Sequence, residues 1–151
     1  VGTGHAERGT AVTSSADTDA PTVSITGYSH VNLMVDDLDA ATTFYTEVLG
    51  FTSLPRPDFG ERGRGIWLGH GAAQVHLAVV DRVPPRQGFL PHIALHVPAA
   101  RFAATMTELE ARGATFVAPP RSRVDLGKTV WAAFVEDPAG NLIELTDVDP
   151  R

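Results

Sequence analysis

The chain has 151 residues, 43% of them hydrophobic and 20% charged, with a formal net charge of −6 at pH 7 and no cysteine. That length suits one compact domain with a real core, or two small halves that share one. No apolar run approaches the roughly 18 residues needed to span a bilayer as a helix, so a membrane protein is not expected. Without cysteine there is no disulfide, thiol nucleophile or zinc–thiolate site, and the acidic balance argues against general binding to nucleic-acid phosphates.

Residues 1–22 are mostly Gly, Ala, Ser, Thr and Asp, with hardly a large apolar side chain. Such a segment cannot bury enough surface to offset its ordering entropy, so a disordered leader is expected, and His5 within it is set aside. The stretch lacks the basic-then-apolar pattern of a secretory signal, and a cytoplasmic location is expected.

A first module is expected over residues 23–80. The run Ser29-His30-Val31-Asn32-Leu33-Met34-Val35 has period 2, with Val31, Leu33 and Val35 on one face and His30, Asn32 and Met34 on the other. Asp36-Asp37-Leu38-Asp39 supplies an N-cap and first-turn carboxylates. Leu38, Ala41, Tyr45, Val48 and Leu49 then recur at helical spacing, Phe44 and Tyr45 read as core, and Gly50 stops the helix. Strands are expected over residues 51–55, 65–69 and 73–80, so the order is β-α-β-β-β. Residues 81–90, with Pro84-Pro85 and Gly88, read as a stiff linker.

The pattern then restarts in a second module, residues 91–148, followed by a short tail at 149–151. Pro91-His92-Ile93-Ala94-Leu95-His96-Val97 again has period 2, and a helix over residues 99–112 carries Phe102, Met106 and Leu109 and stops at Gly113. Strands are expected at 115–117, 129–135 and 141–146. The two opening strands are offset by 92 − 30 = 62 residues, and strand, cap, helix and Gly stop recurring in order point to a duplicated α+β module.

Each helix covers the apolar face of its module, which leaves the opposite strand face to line a concave surface. The first strand of each module puts His30 or His92 there, and the last strand puts His76 or Glu144 there. Singly, a strand histidine is more often a hydrogen-bonded core or rim residue than a ligand. Jointly, three imidazoles and a carboxylate at equivalent positions of a repeat suit one divalent first-row metal, whether nickel, cobalt, zinc, iron or manganese, with positions left for substrate oxygens. Asn32 and His96 share these faces as candidate pocket residues, and Trp67 and Trp131 are candidate stacking walls. Arg56 and Arg64 are candidates for an anionic substrate or for solvated loop positions. Arg121, Arg123 and Lys128 read as a mobile basic loop, and His70 as a turn residue. The glycine-rich run from Gly60 has no helix after it and is no phosphate cradle.

These residues carry a family resemblance. The motifs His30-Val-Asn-Leu-Met-Val-Asp-Asp-Leu, Phe44-Tyr45…Leu49-Gly50-Phe51, Val75-His76-Leu77, His92-Ile-Ala-Leu and Asp137-Pro-Ala-Gly140-Asn141-Leu-Ile-Glu144-Leu resemble the vicinal oxygen chelate superfamily of glyoxalase I, extradiol dioxygenases and fosfomycin- and bleomycin-resistance proteins. The resemblance runs from about Ile25 to Val148. It implies paired βαβββ modules whose curved mixed sheets hold a metal in a cleft, with the four ligand positions at His30, His76, His92 and Glu144, and Glu144 doubling as catalytic base. It further implies a homodimer that builds its sites at module or subunit interfaces, and a lyase or isomerase acting on a small carbonyl compound or its adduct with a low-molecular-weight thiol. An extradiol-type dioxygenase, a resistance-type thiol transferase and a non-catalytic binding protein are the alternatives. One position departs from the pattern: His76 stands where bacterial glyoxalase I enzymes usually carry glutamate, which raises the charge of the site by one unit.

Overall fold

The computed structural model describes residues 25–60, 63–125 and 127–149; the expected leader and the last two residues of the expected tail lie outside them. In the first module β1 (Val31–Val35) leads into α1 (Leu38–Thr43) and a widened helical turn (Phe44–Val48), then β2 (Thr52–Leu54), β3 (Gly65–His70) and β4 (Ala73–Val79). In the second, β5 (His92–His96) leads through a single 3₁₀ turn (Ala99–Arg101) into α2 (Phe102–Ala111), then β6 (Phe116–Asp125), β7 (Lys128–Glu136) and β8 (Leu142–Thr146). Each module is a four-stranded mixed sheet, ordered β1-β4-β3-β2 and β5-β8-β7-β6. The outer pair is parallel in both, β1 with β4 and β5 with β8.

Local chemistry accounts for most of these boundaries. The Asp37 carboxylate accepts from the Ala40 amide at 3.0 Å and caps α1. Gly50 and Gly113 end the two helical stretches at φ of +75° and +93°, where a side chain would be strained. The first helix does not stay α-helical to its end. Thr46 donates its hydroxyl to the Thr42 carbonyl at 2.9 Å, and the Leu49 amide reaches back five residues to the Phe44 carbonyl at 3.1 Å. Threonine back-bonding of this kind competes with the regular ladder and opens a turn.

The largest departure from the sequence reading is β6. Only residues 115–117 were expected as strand, yet the strand runs ten residues to Asp125. Pro119 and Pro120 fall where the register with β7 slips, between Ala118 and Arg121. As an edge strand, β6 leaves one side free of ladder bonds, so prolines are tolerated there at a bulge. Arg121, Arg123 and Lys128 consequently stand on a β6–β7 hairpin, with Arg123 paired to Val130 and Asp125 to Lys128. They do not form a mobile loop.

The modules share one core. Val35, Tyr45, Leu68, Val75 and Leu77 of the first belong to the same buried cluster as Val97, Phe102, Leu109, Ile143 and Leu145 of the second. A polar latch crosses the same junction. The buried Asp137 carboxylate accepts from Tyr45 Oη at 3.2 Å, from the amides of Ala139 (2.9 Å) and Asn141 (2.8 Å), and from Asn141 Nδ2 (2.8 Å). Asn141 Nδ2 also donates to the Met34 carbonyl of β1 at 2.9 Å. Burial raises the Tyr45 phenol far above its ordinary value, and the Asp137 charge raises it further, so the hydroxyl remains a donor.

Candidate functional site

The two sheets present equivalent residues at equivalent places. In the parallel pair β1/β4, Asn32 faces His76; in β5/β8, Ala94 faces Glu144. Asn32 and Ala94 are again 62 residues apart, so His76 and Glu144 occupy the same position of the repeat. His30 and His92 stand at the opening of the two first strands.

In the first module the His30 and His76 rings stack at 3.9 Å between centroids, 15° from parallel, and Trp67 stacks on the other face of His76 at 4.2 Å and 5°. Three flat rings thus lie in register across β1, β4 and β3. Removal from water holds the His76 imidazole below its ordinary pKa, and the neighbouring His30 and Arg56 lower it further, which favours the neutral, lone-pair-bearing ring. Its Nε2 is buried and has no hydrogen-bond partner among the described residues.

In the second module His92 Nε2 lies 3.1 Å from Glu144 Oε2, and His92 Nδ1 lies 2.8 Å from the Phe89 carbonyl. A carbonyl oxygen can only accept, so Nδ1 carries a proton. In a neutral ring Nε2 is then a bare acceptor pointed at a carboxylate oxygen, a pairing that calls for a proton or a metal cation between the two. Phe134 packs edge-on to the His92 ring at 5.7 Å. Glu144 is buried, and its second oxygen, Oε1, has no hydrogen-bond partner among the described residues; Arg123 Nη2 lies 3.9 Å away.

The four residues singled out in the sequence are therefore gathered as two pairs, one on each module. Among the described residues of one chain, no three His, Cys, Asp or Glu side chains come close enough together to hold a metal ion. Each pair nevertheless carries one orphaned buried atom, His76 Nε2 and Glu144 Oε1. A buried polar atom without a partner costs about 1–3 kcal/mol. Imidazole nitrogen and carboxylate oxygen are both donors suited to a divalent first-row cation, so the residues present fit such an ion, two ligands per module.

The other candidates divide. Trp67 and Asn32 lie beside His76, as their strand parity implies. Arg56 sits at the rim of the same face, its guanidinium donating to the Gly63 and Pro57 carbonyls and lying 4.8 Å over the Phe59 ring. Arg121 and Arg123, expected on a mobile basic loop over the cleft, stand instead on strand β6. Their partners Val130 and Ala132 alternate with Trp131, which puts both arginines on the strand face of Phe134 and Glu144.

Two candidates lie elsewhere. His96, at the far end of β5, lines a cleft of about 500 Å³ between the modules with His70, Leu49 and Leu109. Trp131 points to the helix side of β7, where it meets Phe102 at 6.3 Å. Trp131→Ala is expected to lower stability by about 1–2 kcal/mol in urea denaturation, since the residue is 42% exposed.

Residues 27–145 match the family model for the Glyoxalase/Bleomycin resistance protein/Dioxygenase superfamily. The chain is 33% identical over 129 residues to a probable chloroplastic lactoylglutathione lyase of Arabidopsis thaliana, covering 80% of this chain but only 35% of that relative's length. It is 29% identical over 133 residues to glyoxylase I 4 of the same plant, covering 83% and 72%. Among solved structures it resembles a putative glyoxalase family protein from Bacillus anthracis (TM-score 0.66, 26% identity, 82% of this chain and 96% of that one). It also resembles a glyoxalase/bleomycin resistance protein/dioxygenase from Alicyclobacillus acidocaldarius (TM-score 0.66, 24% identity, 78% and 87%), a likeness of fold. With the model spanning both modules from before His30 to beyond Glu144, the chain belongs to the Glyoxalase/Bleomycin resistance protein/Dioxygenase superfamily.

Proposed function

We propose that the protein is a metal-dependent lyase or isomerase acting on a small carbonyl compound or its thiol adduct, working as a homodimer. The observation that carries this reading is the pair of orphaned buried ligand atoms, His76 Nε2 on one module and Glu144 Oε1 on the other. Lactoylglutathione lyase and glyoxylase I among the relatives support the reaction class.

His30 and His76 of one chain and His92 and Glu144 of a second would hold the ion. When bound, a divalent cation supplies a Lewis acid for two neighbouring substrate oxygens and offsets the negative charge that grows on them. Glu144 supplies the proton transfer: its carboxylate takes the proton from the substrate C–H and returns it to the adjacent carbon, so the reaction is an isomerisation without net oxidation. Trp67 and Phe134 keep the two faces dry, which strengthens every charge interaction between them. With His76 in place of a carboxylate, the four side chains bring one negative charge to a dipositive ion. That surplus, together with Arg121 and Arg123 on the strand face of Glu144, favours a substrate bearing an anionic group.

Elemental mass spectrometry on protein purified without a metal-affinity column tests the reading, beside the His92→Ala, Glu144→Ala double variant. About one equivalent of nickel, cobalt or zinc per chain is expected, lost in the variant, with turnover of thiol–2-oxoaldehyde adducts that falls on the order of 10³-fold or more in the variant. One equivalent of iron with oxygen uptake on catechols would replace this reading by a dioxygenase. No metal after reconstitution would replace it by a binding protein.

A further inference from the structure

The linker between the modules does more than connect them. Arg86 leaves it and is four-fifths covered, and each of its guanidinium nitrogens has a partner. Nη1 donates to the Gly88 carbonyl within the linker, Nε donates to the Gly140 carbonyl of the β7–β8 turn at 3.3 Å, and Nη2 lies 3.4 Å from Glu136 Oε1 at the end of β7. The cation also lies 5.6 Å over the Phe89 ring, and that ring packs edge-on against Phe134 at 5.3 Å. Phe89 is the residue whose carbonyl receives His92 Nδ1. One side chain thus ties three linker or turn positions to the sheet that carries His92 and Glu144.

We infer that Arg86 is a positioning residue for His92: it staples the linker to the β7–β8 turn and so holds the Phe89 carbonyl on Nδ1, which directs Nε2 at Glu144 Oε2. A linker of this length, rich in proline and glycine, has no regular structure of its own to keep one carbonyl in place. The guanidinium supplies that constraint because its planar fork can serve a carboxylate and two carbonyls at once, whereas an ammonium cannot reproduce the three directions. The partner on the far nitrogen of a ligand histidine orients the ring and raises its basicity. The consequence for metal binding rests on the proposed role of His92 as a ligand; the consequence for the ring itself does not.

The experiment therefore reads both. In metal-free protein labelled with ¹⁵N-histidine, ¹H–¹⁵N correlation spectra are expected to show a hydrogen-bonded His92 Nδ1–H proton, assigned by its loss in His92→Asn. In Arg86→Ala that proton is expected to be lost to solvent exchange. Arg86→Lys, which keeps the charge near Glu136 and guards against a folding defect, is expected to weaken it without abolishing it. Cobalt(II) affinity, read by absorbance titration, is expected to fall about 10–100-fold in Arg86→Ala. A ring proton that is absent from wild type, or equally protected in Arg86→Ala, would overturn the inference. Loss of the proton in a protein that binds no cobalt in any form would leave the staple standing and remove the metal reading of His92.

Discussion

On the proposed ligand set, co-expressing the His30→Ala, His76→Ala variant with the His92→Ala, Glu144→Ala variant is expected to restore metal binding and about one quarter of wild-type activity, with neither expected in either variant alone. The reason lies in how the ligands are distributed. His30 and His76 stack on one module, His92 and Glu144 meet on the other, and among the described residues of one chain no third ligand reaches either pair. In a two-fold dimer whose sites each join the first module of one chain to the second module of its partner, a mixed dimer has one fully intact site and one with no ligands. Random assembly makes about half the dimers mixed, and each has one site of two, hence about one quarter. Native mass spectrometry gives the fraction of mixed dimers and the metal each carries. Mixed dimers that stay metal-free and inactive would show that the two pairs do not meet across chains.

Asp137→Ala is expected to be the most damaging single substitution away from the site, at about 3–5 kcal/mol. It removes the acceptor for Tyr45 Oη, two backbone amides and Asn141 Nδ2, leaving several donors unserved beneath a shared core. Against the 5–15 kcal/mol typical of a domain, that is a large share, and Tm is expected to drop by about 10–20 °C. The carboxylate also makes a pH prediction. Burial raises its pKa above the ordinary 3.8, outweighing the hydrogen bonds from Asn141, Tyr45 and Ala139 that pull it down. A folded-state pKa above the unfolded one means a contribution to stability that is complete below the unfolded value and lost as pH rises through the folded one. The stability gap between wild type and Asp137→Asn, measured by urea denaturation, is therefore expected to be widest in acid and to narrow as pH rises above 3.8. A gap that widens with pH would show that the four donors outweigh burial at this carboxylate.

The latch and the second module's candidate ligand pair are neighbouring parts of one structure. Asn141 joins the latch to the Met34 carbonyl on β1, and the same turn gives its Gly140 carbonyl to Arg86. The Asp-Pro-Ala-Gly-Asn turn thus docks the first module on one side and the linker on the other. A loss of stability on mutating Asp137 and a loss of metal affinity on mutating Arg86 are separable outcomes, because the first acts on the shared core and the second on one ring.

Much of this protein is determined locally. Period-2 alternation in residues 30–35 and 92–97 puts His30, Asn32 and His92 opposite the helix-facing aliphatics, and strand parity in residues 74–79 does the same for His76. The Asp37 cap and the Gly50 and Gly113 stops depend only on neighbours a few residues away. The 62-residue repeat makes His76 and Glu144 counterparts, and the ladders place them so. Tertiary structure decided the rest. In β7 both faces are apolar, since Val130, Ala132 and Phe134 alternate with Trp131, Ala133 and Val135, so alternation is silent and only the register with β8 turns Trp131 toward α2. The polar, proline-broken run after Phe116 becomes strand because it has β7 to pair with, not because of its own propensity. Periodicity reports which face of an element a residue occupies. Which faces meet, that the four candidate residues fall into two pairs, and that Arg86 and Asp137 tie linker, turn and modules together depend on contacts far apart in the chain, from 46 positions for His30 and His76 to 107 for Met34 and Asn141, and such contacts leave no local pattern to read.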